Sequence, residues 1–179
     1  MPIIDTTYFQ YPINIPNTDK PAISSGLAVL IGMLEPDLLN NLFGSYMYDA
    51  FKTGIAANTP EQRWINLRDG ITYTNNGKQY KWKGLKEING TSKTSIIAYY
   101  VYYYHLINKA TTTTGTGEQI AKPEAGISVD SVSKQIFAWN LMVDWGCELY
   151  QFLRASTDTY PEWQRHYWSN LSKINSMGI

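Results

Sequence analysis

Cysteine and histidine are both scarce in this chain. Cys147 is the one cysteine in 179 residues, which excludes an internal disulfide and a multi-thiolate metal site. The two histidines, His105 and His166, lie in separate segments, with no H-E-x-x-H or H-x-H spacing and no acidic pair beside either. A structural or surface histidine explains each better than a ligand or general base. The sequence therefore offers no strong candidate for a metal ligand or a catalytic residue.

Excess charge of either sign is also lacking. Fifteen basic and fifteen acidic residues cancel, and the pI is near 6.7. Without a positive field to collect phosphates, strong sequence-independent binding of nucleic acid is disfavoured. The first residues show no signal-peptide pattern, and the longest apolar run, residues 26–34, is too short to span a bilayer. We expect a soluble chain with no membrane contact.

Aromatic residues are abundant, at 14% of the chain. The segment from Ser95 to Lys109 reads "SIIAYYVYYYHLINK" and has no alternation, which predicts a helix rather than a strand. On a helical wheel Tyr99, Tyr102 and His105 occupy the side that should face solvent. A helix that is apolar or aromatic nearly all round must be covered nearly all round.

The chain has more aromatic side chains than the core of a small helical domain is expected to bury. Tyrosine and tryptophan concentrate at protein interfaces because they offer large, stiff contact area with a polar tip. The predicted contacts with other molecules are Tyr99, Tyr102, Tyr103, Tyr104, His105, Trp82, Trp163 and Trp168.

The N-terminal half divides at its prolines and glycines. Four prolines in residues 1–23 predict an extended arm that contributes little to the core. Pro36 fits the first turn of an amphipathic helix that ends near Gly54, and a T-x-x-Q capping box from Thr59 predicts a short helix to about residue 68. A β-hairpin is predicted at about residues 71–83, around Asn76-Gly77.

The C-terminal half alternates loop and helix. Residues 110–127 lack apolar periodicity and are rich in Gly and Thr, which predicts a long flexible loop. A long helix follows to about Ala155, and a capping box from Thr159 to Glu162 predicts a last helix from about residue 160. The predicted fold is mainly α: an arm at 1–23 and a single helical domain at 24–179 with an inserted hairpin.

The order of these features resembles a family of tailed-phage head-to-tail connector proteins, in the version found in phages of Bacteroidetes-type hosts. The resemblance covers roughly residues 24–155 and rests on five phrases: "LEPDLLNNLFGSYMYDAF", "EQRWINLRDG", "YTNNGKQYKWKGL", "SIIAYYVYYYHL" and "AWNLMVDWGCELYQFL".

The resemblance implies a helical adaptor bundle that forms a ring homo-oligomer, commonly about twelve-fold. Such a ring docks on the portal protein, contacts the next neck or tail protein, and lets genomic DNA pass without specific binding. The family has no enzyme activity and no cofactor. The expected location is the virion neck, after assembly in the cytoplasm of the bacterial host.

Two other interpretations of the sequence stay open. One is a small module that binds glycan or single-stranded nucleic acid through exposed Tyr and Trp rings, although such binders usually carry a basic groove as well. The other is a hydrolase that uses Asp144, Glu148 and His105, which requires these three groups to converge.

Overall fold

The computed structural model describes residues 2–114, 117–120, 131–164 and 171–174. The helices in these residues are α1 (Pro21–Phe43), α2 (Ser45–Ala56), α3 (Gln62–Asp69), α4 (Ile96–Ala110) and α5 (Ser131–Ala155). The strands form antiparallel hairpins of β1 (Ile71–Asn75) with β2 (Lys78–Trp82), β3 (Lys86–Asn89) with β4 (Ser92–Ser95), and β5 (Thr111–Thr114) with β6 (Gly117–Ile120). The protein is mainly α-helical, as predicted, but its described part carries three hairpins where one was expected.

Helix α4 is the predicted tyrosine helix, and it packs against both α1 and α5. Ser95 caps its start: the Oγ accepts a hydrogen bond from the Ile97 N–H at 3.1 Å and donates one to the Leu85 carbonyl at 2.7 Å. Every residue from Ser95 to Tyr102 is buried. The first two turns of α4 are thus enclosed on all sides by their own chain.

The predicted hairpin is confirmed at β1 and β2. Asn76 and Gly77 have φ angles of 50° and 74°, the left-handed pair that a two-residue type I′ turn requires. The Trp82 ring closes the hairpin onto the core, and its Nε1–H donates to the Leu67 carbonyl at 3.0 Å.

The second hairpin was not predicted. Its strands β3 and β4 are polar and short, and their turn contains Gly90 at a φ of 61°. The segment "GTSKTS", which superficially resembles a phosphate loop, supplies this turn and β4. Its residues therefore serve strand pairing, in which Asn89 is opposite Ser92.

The N-terminal segment is part of the core, which corrects the prediction of an arm with little buried surface. Its buried hydrophobic residues are Ile4, Tyr8, Phe9, Ile13 and Ile15. The segment extends only to Lys20, because Pro21 already occupies the first turn of α1, where a missing N–H costs nothing.

The predicted helix from Pro36 to about Gly54 is two helices. Pro36 lies inside α1 rather than at a helix start, and Gly44, with φ 77° and ψ 157°, separates α1 from α2. Gly54 lies within α2, and the Trp64 ring packs over it. A Cβ at this position would come within 2.1 Å of the Trp64 Nε1. This glycine serves close packing and does not end the helix.

Helix α3 also starts differently from the prediction. It begins at Gln62 after Glu61, with no side-chain cap, so the capping box from Thr59 does not form.

Two predictions for the C-terminal half change as well. Part of the predicted loop at 110–127 is the hairpin of β5 and β6, while residues 115–116 and 121–127 lie outside the described part. Residues 160–164 are not helical, and residues 165–170 of the predicted last helix are not described. Glu162 makes no capping box but binds Arg63, whose Nη1 lies 3.0 Å from both carboxylate oxygens.

Candidate functional site

Half of the eight predicted contact residues lie inside the single chain. Trp82, Tyr99, Tyr102 and Trp163 are between 0% and 8% exposed. Their burial removes them as surface contacts and corrects the expectation that sister molecules cover them. Tyr103, Tyr104 and His105 are half-buried, and Trp168 lies outside the described residues.

The half-buried rings Tyr103 and Tyr104, together with the buried Tyr100, form a cluster that joins α4 to its two neighbouring helices. The Tyr103 ring centroid lies 4.9 Å from that of Trp139 on α5, and the Tyr100 centroid lies 4.9 Å from that of Tyr104. The Tyr100 hydroxyl donates to the Asp37 carboxylate of α1 at 2.5 Å, and burial together with this bond raises the pKa of Tyr100. These contacts are explained by helix packing.

The three residues of the hydrolase interpretation have other partners. Asp144 pairs with Lys173 at 2.7 Å, and Glu148 pairs with Lys83 at 3.1 Å. Burial, and then the charge of Lys109, lower the pKa of His105, so its imidazole is neutral at pH 7. Within the described residues no group of three or more His, Cys, Asp and Glu side chains could hold a metal ion.

Packing among the described residues does not explain the exposed face of α1. No charged residue occurs from Pro21 to Leu34, yet Val29 and Met33 are 63% and 67% exposed. Gly26 and Gly32 lie in the same stretch, and a Cβ on either would meet no atom within 4 Å. Glycine costs a helix about 1 kcal/mol relative to alanine, so two exposed helical glycines lack a reason inside this fold.

By length and composition α1 is also the one described helix that could cross a membrane. Its most apolar 18-residue window has a mean hydropathy of 1.5, and 28% of that window is buried. The sequence estimate considered only residues 26–34, whereas the helix continues through Pro36 to Phe43. Its C-terminal half is committed to the core, since Leu38, Leu39, Leu42 and Phe43 are all buried.

A cavity of about 590 Å³ lies beside this face, between the N-terminal segment, α1 and α2. Most of its wall is apolar, from Pro2, Ile3, Pro36, Leu39, Phe51, Ile55 and Ala56. Gly32 belongs both to this wall and to the uncharged stretch of α1, so the cavity and the exposed face are adjacent.

Glu35 lies in the wall of the cavity and is only 7% exposed. Its Oε1 and Oε2 accept the Ile3 N–H at 2.9 and 3.0 Å, which ties the N-terminal segment to α1. Burial raises the pKa of Glu35, although the N–H groups of Ile3 and Ile4 oppose the shift.

Three cations line the same cavity: Lys52, which is exposed, and Arg68 and Lys86, which are half-buried. Arg68 and Lys86 share Asp69, with Arg68 Nε 2.9 Å from Oδ1 and Lys86 Nζ 3.8 Å from the same oxygen. Lys52 lies 5.9 Å from the centroid of the Tyr48 ring. Arg68 and Lys86 thus have a carboxylate partner, whereas Lys52 makes no ion pair with a described residue.

Comparison with protein-family models gave no match, and searches of curated proteins and of solved structures gave none. The resemblance to phage connectors therefore rests on the phrases of this chain alone.

Sequence reasoning missed both the exposed face and the cavity. The signal for the face is present, because fourteen residues from Pro21 to Leu34 contain two glycines and no charge. The prediction ended the arm at residue 23 and started the helix near Pro36, so residues 24–34 were noted only as an apolar segment and not as a helix face. The cavity has no comparable signal, since it depends on how the N-terminal segment folds back onto α1.

Proposed function

We propose that this protein is a noncatalytic assembly subunit: a head-to-tail connector whose copies associate through the exposed face of α1. The observation that carries the proposal is the uncharged stretch from Pro21 to Leu34 with Val29 and Met33 in solvent. A solvated helix face is normally polar, and a contiguous apolar one marks a contact surface. The connector role comes from the sequence resemblance, which favours another copy of the chain as the partner.

The exposed glycines support close contact with a second helix. Without a Cβ, Gly26 and Gly32 leave room for a neighbouring backbone, and Val29 and Met33 provide the apolar area beside them. In a ring, one such face meets a different surface of the next subunit, and the contact repeats until the ring closes.

A bilayer suits the same face less well. The uncharged stretch is fourteen residues long, which is about 21 Å of helix at 1.5 Å per residue, against about 30 Å of hydrocarbon. Extending it would draw Glu35 and Asp37 into the lipid and break the bonds to Ile3 and Tyr100.

The alternative module for glycans or single-stranded nucleic acid depended on exposed rings. Trp64, Trp82, Trp145 and Trp163 are buried, and the large exposed rings Tyr11, Tyr46, Tyr80 and Phe137 belong to four different segments. We find no stacking platform among the described residues that favours this function.

The oligomeric state of the purified protein tests the proposal. We expect an oligomer in mass photometry and rings in negative-stain electron micrographs, either alone or after addition of the portal protein from the same genome. Val29→Glu and Met33→Glu should each abolish association, because a desolvated unpaired charge is costly at an interface. Ile88→Glu is the matched control, since Ile88 is 57% exposed on β3 and away from α1.

Three results would count against the proposal. The first is a monomer at all concentrations that portal protein does not recruit. The second is an oligomer that tolerates both charged substitutions. The third is binding of the purified chain to lipid vesicles that Val29→Glu abolishes, which would assign the face to a membrane.

A further inference from the structure

The cavity of about 590 Å³ has the size and composition of a ligand site. Pockets that bind ligands commonly measure about 300–1,000 Å³ and combine apolar walls with a few polar groups. The apolar wall residues of this cavity come from three segments, with Ile3 from the N-terminal segment, Leu39 from α1 and Ile55 from α2. An apolar side chain of a ligand would therefore be enclosed from several directions.

Two polar groups that α1 contributes to the wall are hydrogen-bond acceptors. Pro36 has no N–H to donate to the Gly32 carbonyl four residues earlier, and both residues line the cavity. The Glu35 carboxylate accepts the Ile3 N–H and retains further lone pairs. A polypeptide backbone supplies N–H donors of the kind these acceptors need, whereas a simple fatty acid does not.

The charge on the solvent side favours an acidic occupant. Lys52, Arg68 and Lys86 all line the cavity, and Asp69 is shared between Arg68 and Lys86. Lys52 makes no ion pair with any described residue, and its Nζ lies 5.9 Å from the centroid of the Tyr48 ring. An incoming carboxylate would find an excess of positive charge at this position.

We propose that the cavity binds a short acidic peptide segment of a partner protein, with an apolar side chain inside and a carboxylate against Lys52. The apolar wall gives affinity, and the cations select for acidic neighbours of the anchoring residue. This inference goes beyond the proposed function and does not depend on it, because a monomer has the complete cavity.

The probe is a panel of blocked, fluorescein-labelled hexapeptides. Each acidic peptide has one apolar residue (Leu, Ile, Met or Phe) beside two glutamates. Matched peptides carry two lysines in place of the glutamates, or alanine in place of the apolar residue. Binding is followed by fluorescence anisotropy, and the site is located by amide NMR shifts at Gly32, Lys52 and Ile55.

We expect acidic apolar peptides to bind, the matched peptides to bind at least tenfold more weakly, and added salt to weaken the interaction. Lys52→Glu should weaken binding about fivefold, since it replaces an attraction by a repulsion. Ala56→Trp should block the cavity from the exposed end of α2. Lys78→Glu, the same charge reversal on the exposed hairpin, should leave binding unchanged.

Other outcomes overturn the proposal. No binding by any acidic peptide at millimolar concentration excludes a peptide site of this kind. Equal binding of lysine peptides, or binding that Lys52→Glu and Ala56→Trp leave unchanged, places the interaction elsewhere. Binding of decanoate with no binding of peptides would identify an amphiphilic carboxylate as the ligand instead. Because all variants are compared as monomers at low concentration, failure here leaves the test of ring assembly unaffected.

Discussion

The Trp82 indole stacks on the Phe152 ring, with centroids 5.7 Å apart and planes inclined by 9°. The contact joins the first hairpin to α5, and the Trp82 Nε1–H donates to the Leu67 carbonyl of α3. One side chain therefore connects the first hairpin to α3, which precedes it, and to α5, which is distant in sequence. A lone hairpin is marginal in water, and this contact supplies the packing that it requires.

Substitution of Trp82 should be among the most destabilising changes in the chain. We expect Trp82→Ala to lower the free energy of unfolding by about 3–5 kcal/mol, from the cavity it leaves. Trp82→Phe keeps much of the ring but leaves the Leu67 carbonyl unpaired, which should cost about 1–3 kcal/mol. Urea denaturation measures both, and Tyr11→Ala, at a residue 89% exposed, should change stability by less than about 0.5 kcal/mol. Equal effects of Trp82→Ala and Tyr11→Ala would contradict the packing described here.

Two glycines at positive φ should respond very differently to alanine. Gly77, in the hairpin turn, has a φ of 74° and open space around a Cβ, so Gly77→Ala should cost only the left-handed strain of about 1 kcal/mol. Gly84 has a φ of 93°, and its Cβ would lie 2.6 Å from the Arg68 carbonyl oxygen. Gly84→Ala should therefore cost about 3 kcal/mol or more, because backbone must move. Thermal and urea unfolding of the two variants give the comparison, and similar losses would refute it.

The close approach at Gly84 occurs where the segment that follows the first hairpin crosses the segment that precedes it. The Leu85 N–H donates to the Arg68 carbonyl at 2.9 Å, and a Cβ on Gly70 would lie 2.7 Å from the Trp82 carbonyl oxygen. The segments before and after the first hairpin thus touch backbone to backbone.

Local signals in the sequence were sufficient to predict two elements, the first hairpin and α4. Asn76-Gly77 between alternating apolar residues specified the first hairpin, because few residue pairs tolerate two successive left-handed conformations. The unbroken run after Ser95 specified α4, since it is too long and too uniform for a strand. Both conclusions depend on the residues of the element itself and not on its neighbours.

Predictions failed where a distant part of the chain decides the outcome. Gly54 was predicted to end a helix, but it lies inside α2. The residue is a glycine because the Trp64 ring leaves no room for a Cβ. Tyr99 and Tyr102 resemble an uncovered surface, but the chain covers them itself, with Trp145 of α5 beside Tyr99 at 6.1 Å between centroids. The number of aromatic residues did not reveal how well this chain encloses them. The exposed face of α1, and not α4, is therefore the surface that we propose for assembly.

The buried Glu35 carboxyl should make stability depend on pH. Its folded-state pKa is raised above the ordinary value of 4.5 by burial, so the protonated form is favoured on folding. This contribution is fully present below the ordinary pKa and is lost as the pH rises through the folded pKa. We expect the stability of the wild type relative to Glu35→Gln to fall from pH 4 toward pH 7, because the glutamine does not titrate.

Urea denaturation of both proteins at a series of pH values checks this expectation. Asp19→Asn removes an exposed carboxylate and serves as the control, and its difference from the wild type should change less over the same range. If the wild type gains stability relative to Glu35→Gln as the pH rises, the bonds from Ile3 and Ile4 dominate over burial. The folded pKa would then be lowered.

The substitution Gly26→Ala should have different effects on folding stability and on association. A Cβ there meets nothing within 4 Å, so Gly26→Ala should stabilise the isolated chain by about 1 kcal/mol through helix propensity alone. If a neighbouring helix approaches this face, the same methyl group should weaken association, giving effects of opposite sign on folding and on assembly. Thr53→Ala, at an exposed position of α2, also raises helix propensity but should leave assembly unchanged. Urea denaturation at low concentration measures the effect on folding, and mass photometry at high concentration measures the effect on assembly. An unchanged oligomer would show that no backbone lies against Gly26.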